Sequence, residues 1–80
     1  MTEAILLTKR DCGLCDHAKD VLARVSAEHP LYVKEISLET EEGRVLGLRA
    51  GAPFPPVLLL DGQPFSYGRL SERRLRKALR

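Results

Sequence analysis

The feature that most restricts what this chain can fold into is a change of hydrophobic period within its first thirty residues. Ala4-Ile5-Leu6-Leu7-Thr8 is a short, nearly continuous apolar run, which suits a strand buried on both faces. From about Cys12 the pattern changes. Leu14, Ala18, Val21, Leu22 and Val25 recur at steps of three and four, with Asp16, Lys19, Asp20 and Arg24 opposite them. That is the period of an amphipathic helix. His29-Pro30 ends it, because proline disfavours helical geometry in the residue before it. Leu31–Ile36 follows as a second strand, expected to turn Leu31, Val33 and Ile36 inward. A strand, a helix and a strand in this order make a right-handed crossover with parallel strands.

The second half of the chain punctuates itself. Thr40 is a plausible N-cap, followed by Glu41 and Glu42 in a first turn where negative charge helps. Val45, Leu46 and Leu48 give this second helix an apolar side, Gly43 and Gly47 weaken it by about 1 kcal/mol each, and Gly51 stops it. Pro53-Phe54-Pro55-Pro56 forces a stiff, non-helical approach to a buried strand, Val57–Leu60. Asp61-Gly62 is a hairpin signal, so Gln63–Tyr67 is expected to run antiparallel to it. Ser71 then caps a last helix with Leu75, Ala78 and Leu79 on its apolar side, and Leu70 and Leu75 form a hydrophobic staple. The expectation is one α/β domain over residues 1–80: a four-stranded mixed sheet with three helices covering its two faces, in the order βαβαββα.

Composition bears on how the two cysteines are read. A hydrophobic fraction of 44% excludes intrinsic disorder, and no apolar run approaches the ~18 residues of a membrane helix. Met1-Thr2-Glu3 is not basic and Ala4–Leu7 is too short for a signal-peptide core, so a cytoplasmic location is expected, where thiols stay reduced. A disulfide closing a two-residue gap constrains almost no chain. Cys12 and Cys15 are therefore read as chemistry and not as a staple.

Cys12-Gly13-Leu14-Cys15 opens the first helix directly after the first strand. Cys12 then sits where unpaired backbone N–H groups and the positive end of the helix dipole stabilise a thiolate. Lys9 and Arg10 upstream add to that field and Asp11 opposes it. Cys15, one turn further and partly buried, would be the resolving thiol, attacking a mixed disulfide on Cys12. Zinc also uses C-x-x-C, but it needs two more ligands, and the only histidines are His17 and His29, at spacings zinc sites do not use. Both are read as helix-surface and helix-end residues, with no metal expected. Pro55-Pro56 ahead of a buried strand suggests a cis bond at Pro56, and the backbone beside it, at Val57, could pair with an incoming peptide or glutathione. From Arg69 onward six basic residues stand against one acid, Glu72, which reads first as a solvated helix face and second as a surface for an acidic partner. No aromatics interleave with them, so nucleic acid is not expected.

Over essentially its whole length the sequence resembles the glutaredoxin-like branch of the thioredoxin superfamily. The residues that carry the resemblance are Thr8-Lys9-Arg10-Asp11-Cys12-Gly13-Leu14-Cys15 and Pro56-Val57-Leu58-Leu59-Leu60-Asp61-Gly62. It implies a thioredoxin-like fold, Cys12 as nucleophile, Cys15 as resolving thiol, Lys9 as partner of the thiolate and of a glutathione carboxylate, and Pro56 as the cis-proline. The implied activity is thiol–disulfide exchange on protein or small-molecule disulfides by a monomer that holds no cofactor, re-reduced by glutathione or a thioredoxin-reductase-type flavoenzyme. Three departures stand out. Gly13-Leu14 replaces the family's common Pro-Tyr, Pro55 lacks the N–H that helps hold glutathione, and Ser66–Leu70 lacks the acidic pair that grips its γ-glutamyl end. An iron–sulfur carrier and a non-catalytic adaptor using the basic last helix are the other classes the sequence admits.

Overall fold

The computed structural model describes residues 1–80. Its elements are β1 (Thr2–Thr8), α1 (Gly13–Ser26), β2 (Leu31–Ser37), α2 (Glu41–Ala50), β3 (Val57–Leu60), β4 (Gln63–Tyr67) and α3 (Glu72–Ala78). The strands form one sheet in the order β2-β1-β3-β4. β1 and β2 are parallel over seven residue pairs, from Thr2↔Leu31 to Thr8↔Ser37. β3 is antiparallel to both β1 and β4. This is the expected mixed α/β sheet.

Alternation along the two central strands divides the interior into two layers. Ala4 and Leu6 of β1 and Leu58 of β3 face α1 and α3, where they join Ala18, Val21, Leu22, Val25, Leu70 and Leu75. Leu7, Val57 and Leu59 point the other way, to a smaller cluster with Ile36, against which Leu46 and Ala50 of α2 pack. Since successive side chains of a strand point to opposite faces, a nearly unbroken apolar run is what two covered faces require.

The local signals act as their chemistry dictates. The Thr40 hydroxyl accepts the Gly43 N–H at 3.0 Å and the Ser71 hydroxyl accepts that of Arg74 at 3.2 Å. Gly51 ends α2 in the left-handed region at φ 65°. Asp61 (φ 48°) and Gly62 (φ 82°) both take positive φ, the pair that a tight two-residue hairpin needs. The Pro55–Pro56 bond is cis.

Several expected core positions lie outside it. Leu14 is exposed, because it sits in the first turn of α1, beyond the reach of the sheet. Val33 is exposed on β2, an edge strand that α1 covers only in part; Leu31 and Ile36 are inward, but on opposite faces. On α2, Val45 and Leu48 are exposed, and Leu46 alone of the three packs inward. What brings α2 close is glycine: a Cβ on Gly43 would lie 2.0 Å from the Ser37 carbonyl oxygen, and one on Gly47 would lie 3.0 Å from the Leu38 side chain. The two glycines cost intrinsic helicity and supply the close approach.

Candidate active site at the end of the sheet

Three loops meet at one end of the sheet. β1 leaves it at Thr8, and the register Leu7↔Val57 puts Pro56 one step further on, beside Thr8. On the other side Val57 pairs with Tyr67, and the Gly68 N–H donates to the Pro56 carbonyl at 2.8 Å. The loop from Thr8 to Cys12, the cis-proline loop and the Tyr67–Gly68 corner therefore share an edge. Asp11 takes positive φ (54°), one of the few residue types that does so readily, and this bends the chain from strand into helix.

Cys12 is the N-cap of α1. Its sulfur accepts the Cys15 N–H at 3.1 Å, and its carbonyl accepts the Asp16 N–H at 3.1 Å. The cap role that serine or threonine usually fills is thus taken by the sulfur itself. Cys12 and Cys15 are joined as a disulfide, with Cα atoms 5.2 Å apart. Their environments differ. Cys12 is half-buried and opens to solvent, whereas Cys15 is 2% exposed under the helix. An attacking and a resolving thiol need that difference in access.

Beside Cys12 lies a shallow cavity of about 400 Å³, lined by Lys9, Arg10, Asp16, Lys19 and Glu35 among others. The buried Thr8 hydroxyl donates to Glu35 Oε2 at 2.8 Å, and Lys19 Nζ lies 3.5 Å from the same oxygen and 3.7 Å from Asp16 Oδ1. Lys9 is exposed and lines this cavity. Pro56 and Val57 are buried at the sheet end and do not line this cavity, and Val57 is paired on both sides within the sheet. Sequence reasoning missed the Thr8–Glu35–Lys19 chain. Glu35 carries no signal of its own in the sequence, and the register Leu6↔Glu35 is what brings it beside β1.

His17 is a correction. It is half-buried rather than on the open helix surface, with its Nδ1 enclosed and without a hydrogen-bond partner. The segment Arg69–Glu72, which enters α3, shares a cavity with it on that flank of α1. No group of three or more His, Cys, Asp or Glu side chains converges anywhere in the chain, so neither histidine joins the cysteines. The basic tail is also less uniform than its sequence. Arg76 is held by Glu72 at 2.9 Å and Glu28 at 2.7 Å, and Arg24 of α1 reaches Glu72 at 2.9 Å. Arg69, Arg73, Arg74 and Lys77 stay exposed. No helix is long and apolar enough to cross a membrane.

Comparison with known proteins agrees with this geometry. The family described as a glutaredoxin-like domain (DUF836) matches residues 3–80. Uncharacterized proteins of Mycobacterium bovis and Mycobacterium tuberculosis are 35% identical over 74 residues, an alignment spanning 89% of this chain and 75% of theirs. Among solved structures, an uncharacterized thioredoxin-like protein from Clostridium perfringens superposes with a TM-score of 0.78 at 20% identity, covering 99% of this chain and 68% of the other. A thioredoxin from Halobacterium salinarum gives 0.73 at 21% identity, covering 98% and 71%. These likenesses establish the thioredoxin-like fold, and with the family match over 3–80 they show that the chain belongs to the glutaredoxin-like domain family (DUF836).

Proposed function

We propose that this protein is a thiol–disulfide oxidoreductase that reduces disulfides through a dithiol cycle. The observation that carries the reading is the arrangement at the head of α1: an accessible Cys12 sulfur facing the Cys15 N–H at 3.1 Å and bonded to a buried Cys15. In the reduced protein the same N–H and the helix end favour the Cys12 thiolate. That thiolate attacks one sulfur of a substrate disulfide, forming a mixed disulfide and expelling the first substrate thiolate, which takes a proton from solvent. Cys15 then loses its proton and attacks Cys12 Sγ, releasing the second substrate thiol. Two electrons pass to the substrate, and the Cys12–Cys15 disulfide remains.

Return to the dithiol takes two electrons from outside, either from two glutathione molecules that leave as glutathione disulfide or from a thioredoxin-reductase-type flavoenzyme. Lys9, exposed beside Cys12 in the same cavity, is the residue placed to meet a carboxylate of substrate or glutathione. The missing N–H of Pro55 favours the flavoenzyme over glutathione as donor.

The test equilibrates the protein in glutathione buffers of graded potential, traps thiols by alkylation and reads the masses. A reversible two-electron step with Cys12 the faster-alkylated thiol is expected, and Cys12→Ser should lower disulfide turnover at least a thousandfold. Turnover undiminished in Cys12→Ser would sink the reading.

A further inference from the structure

The largest cavity of the molecule, about 550 Å³, is not the one at Cys12. It wraps the outer edge of β4. Ala50, Ala52 and Val57 line one side of it, and Phe65, Arg69 and Arg74 the other. β4 is the last strand of the sheet, so no neighbouring strand covers that edge. The Arg74 guanidinium lies over the Phe65 ring, 5.1 Å from its centroid. Tyr67, 53% exposed, meets Phe54, 52% exposed, edge-on at 5.4 Å between centroids.

The charge of this edge has one sign. Neither Arg69 nor Arg74 pairs with a carboxylate, and no acidic residue lines the cavity. Arg76, by contrast, is turned away and neutralised by Glu28 and Glu72. Two guanidiniums without a carboxylate partner, in a trough that also presents Phe65 and Tyr67, complement a chain that alternates carboxylates with an apolar side chain. The edge also points at the redox centre. Tyr67 lines the cavity at the end of the sheet where Pro56 lies, and the neighbouring Gly68 is hydrogen-bonded to Pro56. From there β1, which feeds Cys12, is two strand spacings away, about 10 Å.

We propose that the β4 edge is a docking groove for an extended acidic segment of a protein substrate, held by Arg69 and Arg74 and leading its disulfide toward Cys12. The assignment of substrate class rests on the redox reading above; the docking itself does not.

The probes are two synthetic peptides, Glu-Glu-Phe-Glu-Gly-Cys and its counterpart with glutamine for every glutamate, each carrying thionitrobenzoate in mixed disulfide on its cysteine. Each turnover by the reduced protein converts that disulfide into two thiols and leaves the Cys12–Cys15 disulfide, so release of the coloured thiol counts events. At low ionic strength the glutamate peptide should react about tenfold faster, the effect of two well-placed but solvent-exposed charge pairs. The preference should shrink in high salt. Arg69→Glu/Arg74→Glu should bring the ratio of rates to one or below, as should the milder Arg69→Gln/Arg74→Gln, while the charge-matched control Lys34→Glu/Arg44→Glu keeps it near ten. Equal rates for the two peptides with the native protein would overturn the proposal while leaving the redox reading intact.

If neither peptide is reduced, the redox reading and the substrate assignment fall together. Fluorescence anisotropy of a labelled glutamate peptide against the oxidised protein then judges the docking alone. Binding that Arg69→Glu/Arg74→Glu abolishes upholds the groove, and no binding overturns it. A native protein that sediments as a dimer, and as a monomer after Arg69→Glu/Arg74→Glu, would give the edge to a second copy of the chain and overturn the acidic-peptide assignment.

Discussion

The two faces of the sheet are built to different standards. On one, α1 and α3 enclose a cluster of nine buried residues around Leu6, Leu22 and Leu58. On the other, α2 stands alone over four, leaving Val45 and Leu48 in solvent. The first face is held by interdigitating side chains and closed by the ion-pair bridge from Arg24 and Arg76 to Glu72. The second is held by backbone proximity, with Gly43 against Ser37 and Gly47 against Leu38. A domain of 80 residues has too little volume for two full cores, and this one spends its apolar side chains beneath the helix that carries the cysteines. The cysteine pair therefore rests on the layer with the larger buried cluster.

That contrast can be broken at chosen points. The largest effect is expected from Leu22→Ala on the α1–α3 face, about 3 kcal/mol of stability lost to cavity formation, read as a fall in the urea midpoint. Gly43→Ala should follow at about 2 kcal/mol, since the new methyl meets a main-chain oxygen and α2 must shift as a whole. A Gly43→Ala midpoint equal to that of the native protein would mean that α2 yields freely, and would remove the account of backbone proximity. Leu46→Ala, on the same face, should cost only about 1 kcal/mol, because its side chain is already partly in water.

The smallest effect depends on pH. The Glu72 carboxyl is held below the usual carboxylate range, first by its hydrogen bond from Arg24 and then by that from Arg76. A carboxyl whose pKa is lowered by folding stabilises the protein above its ordinary value of about 4.5 and loses that contribution as pH falls through the folded value. Glu72→Gln should therefore have a lower urea midpoint than the native protein at pH 7, and the two midpoints should converge as the pH is taken below 4.5 toward 3. The side chain is about a third exposed, which keeps the difference modest. A gap that persists unchanged at pH 3 would show that Glu72 acts by packing and not by charge.

Much of this architecture was legible in the residues. The caps at Thr40 and Ser71, the stop at Gly51, the turn at Asp61-Gly62 and the run Val57–Leu60 are local signals, and local chemistry decides them. What escaped was set by neighbours. Periodicity says that a helix has an apolar side but not how much sheet lies beneath it, so Val45, Leu48 and Leu14 were expected inside and lie outside. Val33 failed for the same reason at an edge strand. His17 failed in the opposite sense, half-buried on a flank that it shares with a segment more than fifty residues away in sequence. At the candidate site the cysteines were visible by spacing. The Thr8–Glu35–Lys19 chain and the β4 groove depend on strand register, which no local pattern states.

The dipeptide between the cysteines has a further meaning. Gly13 has open space where a side chain would project, and Leu14 is 37% exposed outside either cluster. The two positions between the cysteines thus contribute little to the packing of either layer. Side chains at these two positions can therefore be exchanged without disturbing either buried cluster.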